Sequence, residues 1–150
     1  MPCLVALPLP RAGVTDRSER SYRPDVSTRR VNSAAVSAAV ALLDSGGVPA
    51  KDLLRDAARA LLALLAERAP GRSVEMRVPP FGAIQCVEGP RHTRGTPPNV
   101  VEADPVTFVR LATGRVSWAE AVASGGVRAS GVRANLESYL PVWTDLGEPV

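Results

Sequence analysis

The polar cluster with the makings of chemistry in this chain is Arg91-His92-Thr93-Arg94-Gly95. Two guanidiniums and an imidazole within four residues can hold a phosphate or a carboxylate through charge-assisted hydrogen bonds. The surrounding stretch, residues 89–99, reads GPRHTRGTPPN and is a loop by composition; loops carry function disproportionately. The same residues also read as a solvated loop whose arginines pair with Glu88 or Glu102. On the first reading, Arg91, His92 and Arg94 form a site for an anionic head group.

Other reactive chemistry is thin. His92 is the single histidine, whereas catalytic zinc and iron sites mostly use two or three imidazoles. Neither a metal site nor a cofactor is expected. No Gly-x-Ser-x-Gly, P-loop or dinucleotide fingerprint occurs. Ser124-Gly125-Gly126 and Ser130-Gly131 read as punctuation between elements rather than nucleophile elbows, so no catalytic residue is assigned. Cys86, in an apolar strand with nothing nearby to depress its pKa, reads as a small buried hydrophobe. Phe81, Phe108, Trp118 and Trp143 carry two readings. They line an apolar ligand cavity, or they fill the core of a chain that is only 4% aromatic.

The elements that must position these residues follow from periodicity. Val36, Val40 and Leu43 fall at i, i+4 and i+7, which predicts a helix from Ser33 that Gly46-Gly47 ends. A second helix is expected over 50–68, with Pro49 suited to its first turn and Leu54, Ala58, Leu61 and Leu65 in one stripe. Val74, Met76 and Val78 alternate with Glu75 and Arg77, the mark of a half-buried strand. A second strand is expected over Phe81–Val87, antiparallel to the first across an unusual Pro79-Pro80 link, and a short third over Val100–Ala103. Asp104 then caps a helix with Pro105 as its first residue and Gly114 as its stop. Ser117 and Glu120 form a capping box. A fourth strand runs over 127–132, and Asn135 opens a last short helix that Pro141 limits.

Charge and composition bound the function. The chain has 150 residues, a net charge of +3, and 18 basic residues of which all but Lys51 are arginine. One domain is the expectation at this length. Residues 1–32 carry six arginines against Asp16, Glu19 and Asp25, so the net charge resides in that stretch and the remainder is neutral. A neutral domain with a basic end lacks the clustered basic face that nucleic acids require. Residues 1–31 show no apolar period and are expected to be a disordered basic tail, residues 32–143 the folded domain, and residues 144–150 a short C-terminal tail. Two thiols, Cys3 and Cys86, fit a reducing cytoplasm rather than a disulfide framework. No apolar run reaches bilayer-spanning length, and the proline-broken MPCLVALPLP does not read as a signal peptide.

The order of elements over residues 70–143 resembles the sterol carrier protein family. A helix opened by Asp104 carries Phe108 and Leu111 and ends at Thr113-Gly114. A second helix at Trp118 and a Gly125-Gly126 turn follow, and a strand with Val127 and Gly131 leads to Leu136. The stretch RVPPFGAIQCVEGPRHTRGTPPNVVE at 77–102 resembles the bacterial, actinobacterial-type orthologues of that family. The C-terminal Gly-Glu-Pro-Val is not a peroxisomal address of the Ser-Lys-Leu type.

The resemblance implies an α+β fold: a mostly antiparallel sheet of four or five strands, covered by helices, with an apolar cavity between them. It also implies a non-enzymatic carrier of a lipid-like ligand. The residues placed around such a cavity are Val78, Phe81, Ile84, Phe108 and Leu111, with Trp118, Val122, Leu136, Leu140 and Trp143 completing it. Two other classes stay open. One is an accessory module with a collapsed cavity and an unidentified protein partner; the other is an enzyme of acyl or thiol chemistry.

Overall fold

The computed structural model describes residues 26–91 and 94–144, with side chains from Ser33 onward. The tail expected over residues 1–31 therefore lies outside the described residues up to position 25, and His92 lies outside them too. The chain is already helical at Val26: α1 spans Val26–Asp44, starting seven residues before Ser33. α2 spans Lys51–Arg68. Its cap is Ala50, with no side-chain hydrogen bond, so Pro49 stands one position ahead of the cap instead of in the first turn. The stripe that sequence periodicity marks is the buried one: Leu54, Ala58, Leu61 and Leu65 face inward, widened by Ala57, Ala60 and Leu62.

Four strands follow as β1 (Val74–Val78), β2 (Gly82–Cys86), β3 (Val100–Ala103) and β4 (Val127–Ser130). The sheet order is β2-β1-β3-β4. β1 pairs with β2 and β3 with β4 in antiparallel fashion, while the central β1–β3 pair is parallel. The sheet is thus mixed, with antiparallel pairs on both flanks. The β1–β2 link uses the Pro79-Pro80 peptide, which is cis, and closes with the Phe81 N–H donating to the Val78 carbonyl at 2.8 Å. The Arg59 side chain donates to the Phe81 carbonyl at 3.0 Å and fastens this link to α2.

Register explains the two faces. Val74, Met76 and Val78 lie opposite Cys86, Ile84 and Gly82, and Met76 also lies opposite Val101, so these side chains share one face. That face packs with Leu61, Leu65, Phe108 and Leu136 in a single buried cluster. The opposite face is polar: Arg77 bonds Glu75 at 2.6 Å, Arg72 bonds Gln85 at 2.8 Å, and Arg128 reaches Glu102 at 4.0 Å. Among the described residues, the helices pack against the apolar face.

α3 (Pro105–Ala112) and α4 (Trp118–Ala123) join β3 to β4. Asp104 caps α3 by accepting from the Thr107 N–H at 2.9 Å. Ser117 and Glu120 form the reciprocal capping box of α4. Both starts are those that the sequence marks. The last helix is one 3-10 turn, η1 (Glu137–Tyr139), where Asn135 accepts from the Glu137 N–H at 2.9 Å.

The loop after β2 is held from below. Val87 sits at φ 64°, a rare setting for a β-branched residue. Its carbonyl accepts from the Ser73 N–H and hydroxyl, and its own N–H donates to the Ala69 carbonyl. The exit leaves room only for glycine at position 71, where an added Cβ would lie 2.0 Å from the Val87 carbonyl oxygen. At the far end, buried Asn99 donates to the Ser73 carbonyl and accepts from the Arg133 N–H, both at 3.0 Å. Asn99 thus ties β1, β3 and the segment after β4 together.

Candidate ligand groove

The turn from α3 to α4 builds one wall of a groove. Thr113 ends α3 by donating its hydroxyl to the Val109 carbonyl at 2.6 Å. Gly114 then takes φ 76°, and the Arg115 N–H closes back on the Arg110 carbonyl at 2.7 Å. This αL stop throws Arg115, Val116 and Ser117 across the end of α3. The opposite wall is the 137–141 segment, pinned when the Val142 N–H donates to the Ala112 carbonyl at 2.9 Å.

Between these walls lies an open groove of about 440 Å3. Its apolar lining is Leu111, Val116, Trp118, Leu140 and Pro141. Its polar lining is Arg115, Ser117, Glu120 and Glu137. The volume falls within the usual range for small-molecule sites, roughly 300–1,000 Å3. A second depression, of about 460 Å3, lies beside it and shares Arg115, Val116 and Glu120. A third, of about 210 Å3, lies near Pro79, Asp104 and Gly126.

Electrostatics in the first groove are lopsided. The Arg115 guanidinium makes a two-pronged contact with the Asp44 carboxylate at 3.0–3.2 Å and donates to the Thr113 carbonyl at 2.9 Å. This contact holds the Asp44 carboxyl below the usual carboxylate range. One oxygen of Glu120 accepts from both the N–H and the hydroxyl of Ser117, at 2.9 and 2.7 Å, which holds its carboxyl low as well. Glu137 is exposed at the opposite rim.

Of the ten residues expected around a cavity, the groove brings together Leu111, Trp118 and Leu140. Val78, Phe81, Phe108, Leu136 and Trp143 are buried in the central cluster. Ile84 is half-buried against that cluster, and Val122 is 41% exposed on α4. The buried side chains of sheet and helices form one cluster, while the groove lies between the α3–α4 turn and the 137–141 segment.

Arg91 and Arg94 are exposed and line none of the three depressions. Glu102 meets Arg128 across β3 and β4, and Arg133 reaches the Glu88 carbonyl. Cys86 is fully buried, and burial pushes its thiol up to about 11.

Sequence reasoning missed Val116, Pro141, Glu120 and Glu137 as groove residues, and Asn99 as an anchor. Glu120 stood out only for its capping role. The others fall in turns or, for Glu137, in a single 3-10 turn, too short for periodicity to report which side chains converge.

A family described as bacterial SCP ortholog matches residues 50–142, more than half of the chain. The chain belongs to this sterol carrier protein-like family. The matched span runs from the start of α2 to the end of the groove wall, so α1 and its Asp44 lie outside it. No curated protein matches the chain. Among the described residues, no helix is long and apolar enough to cross a membrane, and no three His, Cys, Asp or Glu side chains gather as a metal site.

Proposed function

We propose that the protein is a non-enzymatic, cytoplasmic binding or carrier protein for a lipid-like apolar molecule, held in the groove between the α3–α4 turn and residues 137–141. The observation that carries this reading is the groove's apolar lining, with the large ring of Trp118 left half-buried on its wall while Phe81, Phe108 and Trp143 are buried. Burial supplies the affinity. At about 0.8 kcal/mol per methylene removed from water, eight methylenes gain roughly 6 kcal/mol before ordering costs. That suits a carrier, which must release what it binds. The family assignment supports the same ligand class.

The test is uptake of an apolar fluorescent probe, followed by the emission of Trp118 in a Trp143→Phe background. Saturable quenching that Leu140→Arg abolishes supports the groove; uptake unaffected by Leu140→Arg places the ligand elsewhere.

A second reading is an accessory module that binds a protein partner and no lipid, and it draws on the single buried cluster between sheet and helices. It predicts no saturable uptake at any groove residue. Thiol chemistry gains nothing from the structure, because a thiol raised to about 11 is almost wholly protonated at neutral pH.

A further inference from the structure

Resting on the groove as the binding site, we infer that its ligand is a cationic amphiphile: an apolar body carrying an ammonium group, in preference to a fatty acid. The argument is charge complementarity. Three ionisable side chains line the groove, namely Arg115, Glu120 and Glu137. Arg115 is the one cation among them, and its charge is offset at contact distance by Asp44 of α1, which takes two of its nitrogens; a third donates to the Thr113 carbonyl. A guanidinium engaged in this way offers an incoming carboxylate little that Asp44 does not already take.

The two carboxylates are placed differently. Glu120 uses Oε2 for both bonds from Ser117, and Oε1 has no partner among the described residues. Its side chain is exposed, as is that of Glu137 across the groove. The free charge at the mouth is therefore negative, on both sides of an apolar floor. Trp118 adds a second recognition element of the same sign, because an indole face attracts ammonium groups and alkylated ammonium groups especially. Carboxylates around an aromatic wall bind ammonium and repel a fatty acid. The Arg91 and Arg94 loop does not alter this balance, since neither residue lines the groove.

The experiment uses the full chain and three ligands with the same tail: decyltrimethylammonium, decanol and decanoate, each below its micelle concentration, titrated calorimetrically at low salt. The expected result is decyltrimethylammonium binding about ten-fold tighter than decanoate, with decanol between them. Raising the salt to about 0.5 M should shrink that ratio, since exposed charges are screened. Glu120→Gln combined with Glu137→Gln should reduce the ratio to below about three-fold; glutamine keeps the capping box, so α4 retains its start. Decanoate binding as tightly as the ammonium, or a ratio that survives the double substitution, overturns the inference while leaving the groove as the binding site. Binding by none of the three overturns the groove itself, and the inference with it.

Discussion

Phe108 and Trp118 sit on consecutive helices, and the structure assigns them opposite work. Phe108 has no exposed surface and belongs to the central cluster with Leu61, Leu65 and Met76. Truncating such a ring to alanine removes its burial and leaves a cavity, at a cost of about 3–5 kcal/mol. For a chain of this size, each kcal/mol moves the melting temperature by about 2–4 °C, so Phe108→Ala should melt roughly 6–20 °C lower. Trp118 is half-buried on the groove wall, so Trp118→Ala should cost less, about 1–2 kcal/mol. Binding should split the other way. Below its lowered melting point, Phe108→Ala should still take up the apolar probe, while Trp118→Ala should lose at least ten-fold in affinity. Denaturant unfolding with a fitted slope, paired with probe titration well below the midpoint, reads both quantities on each variant. A Phe108→Ala protein that melts like the parent yet takes up no probe would refute the reasoning: the Phe108 ring would then line a ligand space inside the domain.

Three further outcomes follow from single contacts. Ser117→Ala removes the hydroxyl's half of the capping box, leaving the Ser117 N–H bonded to Glu120, and should destabilise by about 1 kcal/mol in denaturant unfolding, whereas Ser117→Thr should restore most of it. Asn99→Ala strands the Ser73 carbonyl and the Arg133 N–H and should cost about 2–4 kcal/mol, with hydrogen exchange rising first at Arg133 and Glu75. Cys86 gives a pH dependence whose sign is fixed. Its folded pKa, about 11, lies above the reference value of 9.0, so its stabilising effect is complete below pH 9 and is lost as pH rises from there toward 11. At pH 10 the loss relative to a Cys86→Ala control should be on the order of 1 kcal/mol. Equal pH profiles for the two proteins would show that the thiol is not shielded.

The sequence reports this fold well wherever local chemistry and burial agree. Asp104-Pro105 and Ser117–Glu120 are helix starts in the sequence because their side chains bond the backbone a turn away, and no distant packing is needed. The β1 alternation survives because one face meets helices and the other meets solvent. The parallel β1–β3 pairing is different. It joins residues separated by β2 and the span 87–99, and nothing local in Val100–Ala103 says which neighbour it takes. Part of the groove is legible: Leu111 and Trp118 lie on helices and Leu140 directly follows one, so they can be named, whereas Val116 and Pro141 meet only because Gly114 turns the chain and Val142 bonds Ala112. Phe81, Phe108 and Trp143 are buried and Trp118 is half-buried, which no periodicity in the sequence distinguishes, because burial of a ring depends on elements far apart in the chain.

The contact that sets the groove's charge lies partly outside the family match. Arg115 belongs to the matched span, and Asp44 belongs to α1, which precedes it. A structural tie between two helical segments therefore also decides what the neighbouring groove can attract. Exposed ion pairs contribute little to stability, so Asp44→Asn should change the melting temperature only slightly. It should change ligand preference far more. Asp44→Asn removes one negative charge beside the wall opposite Glu137, so the decyltrimethylammonium-to-decanoate ratio should fall. The acid limb of stability should flatten in the same variant. Asp44 is held below its reference value of 3.8, so its contribution is present above that pH and lost as the pH falls through the folded value. Calorimetric titration of both ligands against Asp44→Asn, beside an acid unfolding series, tests the two effects on one protein. An unchanged ratio would mean that Arg115 is silent toward ligand, and that the carboxylates alone, or neither, govern the groove.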